Sequence, residues 1–204
     1  MLVENINTTL TGNNKKNEPH DKGWAILEQG TIALVVLFVI VVVLGSLYAL
    51  RTRANVATET ANIQTIITSA QSLLKGSDGY TFTSSAKMTG DLIQMGAIPS
   101  GMTVQGDKTS GTATLYNAWG GAVTVAPAST SGFNNGFTVT YDKVPQDACI
   151  QIATRISKTD LTNGITLNST AHSDGKVTTE EASTQCKADN GSTGTNKLIF
   201  TING

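Results

Sequence analysis

Hydrophobic residues are distributed unevenly along the chain, and their densest run lies near its N-terminus. Residues 31–50 contain no charged side chain and consist mainly of Val, Leu, Ile and Ala. A helix of about 20 such residues rises roughly 30 Å, the thickness of the hydrocarbon core of a bilayer. The pattern therefore predicts a membrane-spanning helix, placed at residues 24–50. A buried core helix is the alternative, but a chain of 204 residues with an otherwise polar composition offers little that could enclose one.

Beyond this run, apolar residues recur at helical spacing over residues 56–74, with Glu59, Thr60 and Gln64 between them. An apolar stripe of this period is typical of a helix that packs one face on a core. The helix is thus predicted to continue as an amphipathic half. It is expected to end after Lys75, with Gly76 as the C′ residue.

From residue 76 onward, the pattern changes to short segments separated by Gly-, Asn- and Ser-rich turns, which indicates a small antiparallel sheet. The first predicted elements are a turn at Asp78-Gly79, a short helical unit within 87–102, and two strands within 111–129 around a turn with Trp119 as a core anchor. A third strand over 134–144 is led by an Asn-Gly turn and has Phe137, Val139 and Tyr141 on one face. A helix over 145–157, a turn at Asn163-Gly164 before the segment from Ile165, a short helix or capped turn over 177–186 and a closing strand over 196–204 follow. This gives about four strands in one domain.

Together these elements predict an α+β fold. A long N-terminal α-helix, with an apolar half followed by an amphipathic half, packs on a C-terminal antiparallel β-sheet head. Ile165, Leu198 and Phe200 are predicted to lie in the core of that head. The predicted organisation is a leader at 1–23, the apolar helix at 24–50, the amphipathic helix half at 51–75 and the globular head at 76–204.

The only cysteines are Cys149 and Cys186. In a cytosolic protein they could be two unrelated buried thiols, whereas an exported, loop-rich domain favours a single disulfide. Such a disulfide would close a loop of about 38 residues and remove roughly 4 kcal/mol of unfolded-chain entropy. With His172 they fall short of a zinc site, which needs four ligands in paired spacings. A catalytic Cys–His pair is a further alternative, but His172 lies in a "STAHSDGK" segment that is typical of a solvated loop.

The segment before the apolar run is not typical of a secretory signal peptide. Three lysines in residues 1–23 are balanced by three acidic residues, the apolar run is too long, and no Ala-x-Ala-like site follows it. At the end of residues 1–23, Gly23 is followed by Trp24, three apolar residues and Glu28. This junction resembles the processing site of type IV prepilins. The long leader and the mature first residue other than Phe resemble the type IVb branch, and in particular the PilS-like thin-pilus major pilins of conjugative plasmids.

The resemblance implies that a membrane aspartyl peptidase, the prepilin peptidase, cuts after Gly23 and makes Trp24 the mature N-terminus. It also implies that Glu28 is the acid that the family keeps at the fifth mature position. A disulfide-closed C-terminal loop between Cys149 and Cys186 is expected on the same ground. Type IV pilins are anchored in the inner membrane before an assembly platform and an ATPase polymerise them into an extracellular fibre.

A physical argument for Glu28 stands beside this resemblance. A carboxylate at the centre of a membrane helix costs about 2.5–3.5 kcal/mol, and less near an interface, so it persists where it has a partner. Cleavage after Gly23 would create one, because the new α-amino group of Trp24 is mainly cationic at neutral pH. Four residues span about 6 Å of helix, so Glu28 can pair with its own terminus or with that of a staggered neighbour. A favourable interaction with the helix dipole, worth about 0.3–1 kcal/mol, is the alternative role.

One observation opposes the predicted orientation. Arg51 and Arg53 directly follow the apolar run, and the positive-inside rule alone would place that side in the cytoplasm. The cysteines and the leader favour export of the C-terminal part, and we adopt that orientation.

Charge and residue types exclude several other functions. Without the leader, 11 basic and 12 acidic residues leave a net charge of −1, which provides no electrostatic footprint for nucleic acid. No phosphate-binding loop or metal-type acid pair is present in the sequence, so we expect no enzyme activity, no cofactor and no metal. The predicted function is a major structural pilin that polymerises with itself and contacts a recipient-cell or host surface, in conjugation or adherence. A pseudopilin or minor pilin and a signal-anchored periplasmic binding module are the alternatives.

Overall fold

The computed structural model describes residues 22–130 and 133–204 and, within them, the side chains of residues 32–46, 55–129 and 133–204. Residues 1–21 of the predicted leader lie outside the described residues. The chain divides between Tyr48 and Ala49 into two compact units.

The first element is a single helix of 52 residues, α1, from Lys22 to Leu73. Its end differs slightly from the prediction, since Gly76 lies in a tight turn and is not a left-handed helix cap. Gly76 and Gly79 exchange backbone hydrogen bonds of 3.0 and 3.3 Å. Gly79, with φ of 84°, adopts the left-handed conformation that the turn requires. The turn predicted at Asp78-Gly79 is therefore confirmed, and the Gly76 cap is wrong.

Among the described residues of the second unit, three further helices and seven strands follow α1. They are α2 (Ser85–Gln94), β1 (Thr103–Gln105), β2 (Thr114–Tyr116), β3 (Ala122–Thr130), β4 (Phe133–Val144), α3 (Gln146–Ile156), β5 (Gly164–Leu167), β6 (Thr170–His172), α4 (Thr179–Gln185) and β7 (Asn196–Asn203).

Local side-chain caps explain where the short helices begin. The Ser84 hydroxyl accepts a hydrogen bond from the Lys87 amide at 3.1 Å and caps α2. Thr178 and Glu181 form a reciprocal capping box at α4, in which each side chain accepts a hydrogen bond from the other residue's amide. Pro145 precedes α3 and has no capping side chain, so the first amide of that helix, Gln146 N–H, donates to the distant Asp189 carboxylate at 2.8 Å.

The strands form one antiparallel sheet in the order β1-β2-β3-β4-β7-β5-β6. The closing strand β7 therefore lies inside the sheet, between β4 and β5. The estimate of about four strands from the sequence is wrong because the sequence pattern does not mark three short strands, β1, β5 and β6, which have three, four and three residues. A strand of this length is too short to show a clear alternation of apolar and polar residues.

The β3–β4 hairpin corrects a second prediction. Asn135 and Gly136 do not form a turn, because β4 continues through them and its pairing with β3 extends to Thr130 and Phe133. A side chain at Gly136 would collide with the carbonyl oxygen of Ile202 on the neighbouring strand. This glycine therefore serves close approach of two strands.

One face of the sheet packs against the helices of the second unit and forms the core. Phe137, Val139 and Tyr141 alternate on that face of β4 and are fully buried, as predicted. The apolar residues of α1 that lie in the core are Val56, Ile63, Ile66, Ile67, Ala70 and Leu74. The predicted core residues Ile165, Leu198 and Phe200 are also 0% exposed. The α+β fold with an antiparallel sheet is confirmed.

Candidate functional site

The apolar part of α1 presents a continuous hydrophobic surface. From Ile32 to Leu44 the large apolar side chains are exposed by between 49% (Val42) and 68% (Phe38). Monomeric soluble proteins rarely expose a contiguous apolar surface of this kind, which is typical of a binding face. Within the described side chains, no helix is long and apolar enough to span a bilayer.

The predicted processing and pairing residues lie at the start of the same helix. The backbone of Gly23, Trp24 and Glu28 belongs to α1. Their side-chain positions lie outside the described residues. Cleavage after Gly23 and the pairing of Glu28 with a freed Trp24 amine therefore stay predictions.

A second acidic residue of α1, Glu59, occupies an unexpected position. The sequence pattern places it among polar residues of the amphipathic half, but the structure buries it to 2% exposure. Its Oε1 accepts a hydrogen bond of 2.8 Å from the backbone amide of Ala118. Its Oε2 accepts one of 3.2 Å from the Asn62 side chain, one helical turn further along. Glu59 thus connects α1 to the β2–β3 turn, 59 residues away in the chain.

Burial governs the protonation of this site. Desolvation raises the pKa of Glu59, and the hydrogen bonds from Ala118 and Asn62 only partly oppose that effect. The fully buried hydroxyl of Tyr141 faces the same carboxylate but makes no hydrogen bond of standard geometry with a described residue. Burial, and then the charge of Glu59, raise the pKa of Tyr141 well above its usual value. No salt bridge to Glu59 is found among the described side chains.

Asn117 holds the turn that presents the Ala118 amide. Its Oδ1 accepts hydrogen bonds from Trp119 N–H at 3.0 Å and Gly121 N–H at 2.9 Å, and its Nδ2 donates to the Asp142 carbonyl at 2.8 Å. Asn117 is 4% exposed, whereas Trp119 is only partly buried. Asn117 therefore makes the hydrogen bonds that hold this turn, while Trp119 packs against the core as predicted, as a partly buried side chain. An Asn followed by glycines is a sequence signal for such a side-chain-to-backbone turn.

The disulfide between Cys149 and Cys186 is confirmed, with a Cα–Cα distance of 6.0 Å. It joins α3 to the residue directly after α4. Both cysteines are buried, with 0% and 3% exposure. A thiol reagent in solvent therefore reaches this disulfide only after local opening of the head.

Two asparagines that no sequence pattern indicates hold the segment after this disulfide on the sheet. Asn196, 0% exposed, donates to the carbonyls of Val144 at 3.1 Å and Lys187 at 2.9 Å. Its Oδ1 accepts from Lys187 N–H at 2.6 Å and from Asn168 Nδ2 at 3.0 Å. Asn168 also donates to the Gln185 carbonyl at 2.8 Å. All donors and acceptors of the buried Asn196 amide are thereby satisfied.

His172 belongs to a strand and contacts a neighbouring side chain. It ends the edge strand β6, where the sequence predicts a loop, and its Nε2 lies 2.9 Å from the Gln185 Oε1. In the described ranges, no three His, Cys, Asp or Glu side chains converge in a way that could hold a metal ion. The expectation that the chain is not an enzyme stays a prediction.

The apolar-to-amphipathic helix, the antiparallel sheet on its second half and the disulfide near the C-terminus define a type IV pilin subunit. The family model described as "PilS N terminal" matches residues 53–203. The chain belongs to this PilS family of type IVb pilins. A pilin of this family self-assembles into pili.

Two solved structures are similar to this chain. A crystal structure of the type IVb pilin from Salmonella typhi shares 56% identity with a TM-score of 0.65, over 72% of this chain and 99% of that one. An NMR structure of the type IVb pilin PilS from Salmonella typhi shares 55% identity with a TM-score of 0.52, over 73% of this chain and 96% of that one. The comparison with curated proteins gave no match. The matched family region begins at residue 53, beyond the predicted processing site.

Proposed function

We propose that the chain is a major structural pilin whose subunits polymerise through the apolar half of α1 into an extracellular fibre. The supporting observation is the continuous exposed apolar surface from Ile32 to Leu44. Relative to exposure in water, burial of such side chains gains about 25 cal/mol for each Å². In a fibre, neighbouring helices of other copies would cover this surface.

Before assembly, the precursor resides in the inner membrane through residues 24–50. The prepilin peptidase removes residues 1–23, and an assembly platform with its ATPase then transfers the subunit from lipid into the fibre. The transfer exchanges lipid contacts for helix contacts, so the hydrophobic effect alone provides little net free energy. The remainder has to come from specific pairing and from the motor.

Glu28 provides that specific pairing. An uncompensated carboxylate in an apolar helix bundle is costly, and the Trp24 α-amino group of an adjacent copy can neutralise it. Because the two groups are four residues apart in one chain, the pairing between copies also sets their axial stagger. The helix-dipole alternative would stabilise Glu28 in each subunit but would not fix a register between subunits.

The head supplies the fibre's contact surface. Glu59 and the turn around Asn117 hold the second half of α1 on the sheet, while the disulfide between Cys149 and Cys186 stabilises the C-terminal region. The fibre serves cell contact, as mating-pair formation if a plasmid encodes it and as adherence to a recipient-cell or host surface otherwise. We propose no cofactor, no metal and no direct nucleic-acid partner.

The test combines electron microscopy of cells that express the chain with N-terminal sequencing of the purified fibres. We expect fibres whose subunits begin at Trp24. Glu28→Gln should remove the fibres, and the matched control Gln29→Ala should retain them. Absence of fibres from cells that carry a complete assembly system would overturn the proposal. A mature N-terminus at Met1, or beyond Leu50, would equally contradict it.

A further inference from the structure

The chain contains four Asn-Gly dipeptides, at Asn135, Asn163, Asn190 and Asn203. An asparagine before glycine is prone to deamidation, since the unhindered glycine amide nitrogen can attack the preceding side-chain amide. The reaction closes a five-membered ring, so the backbone around the asparagine must be free to bend. Regular strand pairing restricts this bending, and the four sites differ in how far strand pairing holds them.

Two of the sites are held together at one end of the sheet. The Asn163 Oδ1 accepts a hydrogen bond of 2.7 Å from the backbone amide of Asn203. Gly164 is buried in β5, opposite Thr201 of β7. Ring closure at Asn163 would require this side chain and this strand to leave their partners.

The sheet also restricts Asn135 and the last dipeptide. Gly136 is buried inside β4 and lies opposite Asn203 in the register. The Gly204 amide, which would be the nucleophile for Asn203, donates a hydrogen bond of 2.6 Å to the Asn135 carbonyl. Both reactions therefore need local opening of the sheet, and about 1.4 kcal/mol of opening free energy slows a reaction tenfold.

The fourth site lies outside the sheet, in the segment between Cys186 and β7. Residues 190–193 form a turn in which Asn190 and Thr193 exchange two backbone hydrogen bonds, and all four residues are exposed. Gly191 has φ of 61° with open space around its Cα, and its amide donates no hydrogen bond to any described residue. The nucleophile is thus unpaired, and solvent water reaches the site.

We propose that Asn190 is a site of spontaneous deamidation in the folded protein. The Gly191 nitrogen bonds to the Asn190 Cγ and gives up its proton, the Cγ–Nδ2 bond breaks, and ammonia leaves from a succinimide ring. Water then adds to either ring carbonyl and opens the ring, which yields aspartate or isoaspartate. The net reaction consumes one water and releases one ammonia, with no oxidation or reduction.

The modification changes a structurally important neighbourhood. It places a carboxylate beside Asp189, whose own carboxylate accepts the Gln146 amide at the first residue of α3. The isoaspartate product also adds a methylene to the backbone of the 190–193 turn. Each modified chain gains one negative charge on an exposed segment, so old and new copies differ in surface charge.

The test is peptide mapping by mass spectrometry of the full chain after incubation at mildly alkaline pH, in native buffer and in urea. In native buffer, we expect deamidation at Asn190 to exceed that at Asn135 and Asn163 by more than about tenfold. In urea, the rates at the three sites should converge, because the sheet no longer protects two of them. Equal native rates would overturn the proposal. An Asn190 preference that persists unchanged in urea would also overturn it, since the folded structure would then not be the cause.

A variant provides a second readout. In the native protein, Asn190→Gln should abolish the main acidic species that develops with time on ion exchange, because the longer side chain closes a six-membered ring far less readily. Persistence of that species in Asn190→Gln would contradict the assignment. Asn163→Gln, which alters a protected dipeptide, should leave the acidic species unchanged.

Discussion

The effect of the buried Glu59 charge on stability can be tested with a substitution that keeps the size of the side chain. Glu59→Gln keeps the size of the side chain and an oxygen that can accept a hydrogen bond from the Ala118 amide. In the wild type, the Ala118 nitrogen lies 2.8 Å from the Glu59 Oε1. The substitution removes only the ability to ionise. Asn62 can rotate its amide to present oxygen to the new NH₂ group.

The sign of the pH effect follows from the direction of the pKa shift. Burial raises the pKa of Glu59 above its ordinary value of 4.5, so the folded state binds the proton more tightly than the unfolded state. The resulting stability is fully present below about pH 4.5. It is lost as the pH rises through the folded-state pKa, because the ionised carboxylate is buried without a cationic partner.

We therefore expect Glu59→Gln to gain stability relative to the wild type as the pH rises from 4 to 8. The difference in unfolding free energy between Glu59→Gln and the wild type should grow in favour of the variant, by about 1.4 kcal/mol for each unit by which burial raises the Glu59 pKa. Asp107 and Glu181 also have shifted pKa values, lowered first by backbone hydrogen bonds from Thr109 and Thr178. They are common to both proteins and cancel in the comparison.

The assay is urea unfolding of the compact unit Ala49–Gly204, followed by circular dichroism at a series of pH values. Glu180→Gln, on the exposed surface of α4, is the matched control and should follow the wild-type profile. If the stability of Glu59→Gln runs parallel to that of the wild type from pH 4 to pH 8, the desolvation argument is wrong. A wild type that gains stability relative to Glu59→Gln as the pH rises would refute the sign.

Three further predictions concern the head, each measured by urea unfolding of the same unit. Replacing both cysteines of the disulfide by serine should lower the unfolding free energy by about 4 kcal/mol, because the crosslinked residues are 37 positions apart; a loss below about 1 kcal/mol would contradict this mechanism. Gly121→Ala should cost more than about 2 kcal/mol, since its Cβ would collide with the Asp142 carbonyl. Gly101→Ala, where the space is open, should change stability by less than about 0.5 kcal/mol, and equal effects of the two glycine variants would rule out the steric argument. Asn196→Ala should cost at least about 2 kcal/mol because it leaves the buried Val144 carbonyl and the part-buried Lys187 carbonyl without partners. An unchanged midpoint would show that water replaces the lost hydrogen bonds.

Long periodic patterns in this sequence were sufficient to predict the large elements. The apolar stripe over residues 56–74 identified the amphipathic half of α1, and the alternation of Phe137, Val139 and Tyr141 identified the core face of β4. Both signals arise from many residues that obey one period, so single exceptions do not obscure them. The disulfide was predictable because the chain has only two cysteines.

Features that depend on distant partners could not be predicted in the same way. Asn135-Gly136 has the local chemistry of a turn, but pairing of β4 with both neighbouring strands keeps it extended. Glu59 has the local context of a surface residue, and only the turn at Ala118 makes its burial possible. Asn196 likewise satisfies groups up to 52 positions away. In each case, tertiary contacts override the local preference.

The central claim is that subunits polymerise through α1 with Glu28 paired to the N-terminus of a neighbour. A cryo-electron microscopy reconstruction of the fibre, at a resolution that shows side chains, tests it most directly. We expect the Glu28 carboxylate to lie within about 4 Å of the Trp24 α-amino nitrogen of an adjacent copy. A Glu28 carboxylate that faces solvent or lipid, with no amine of any copy nearby, would contradict the mechanism.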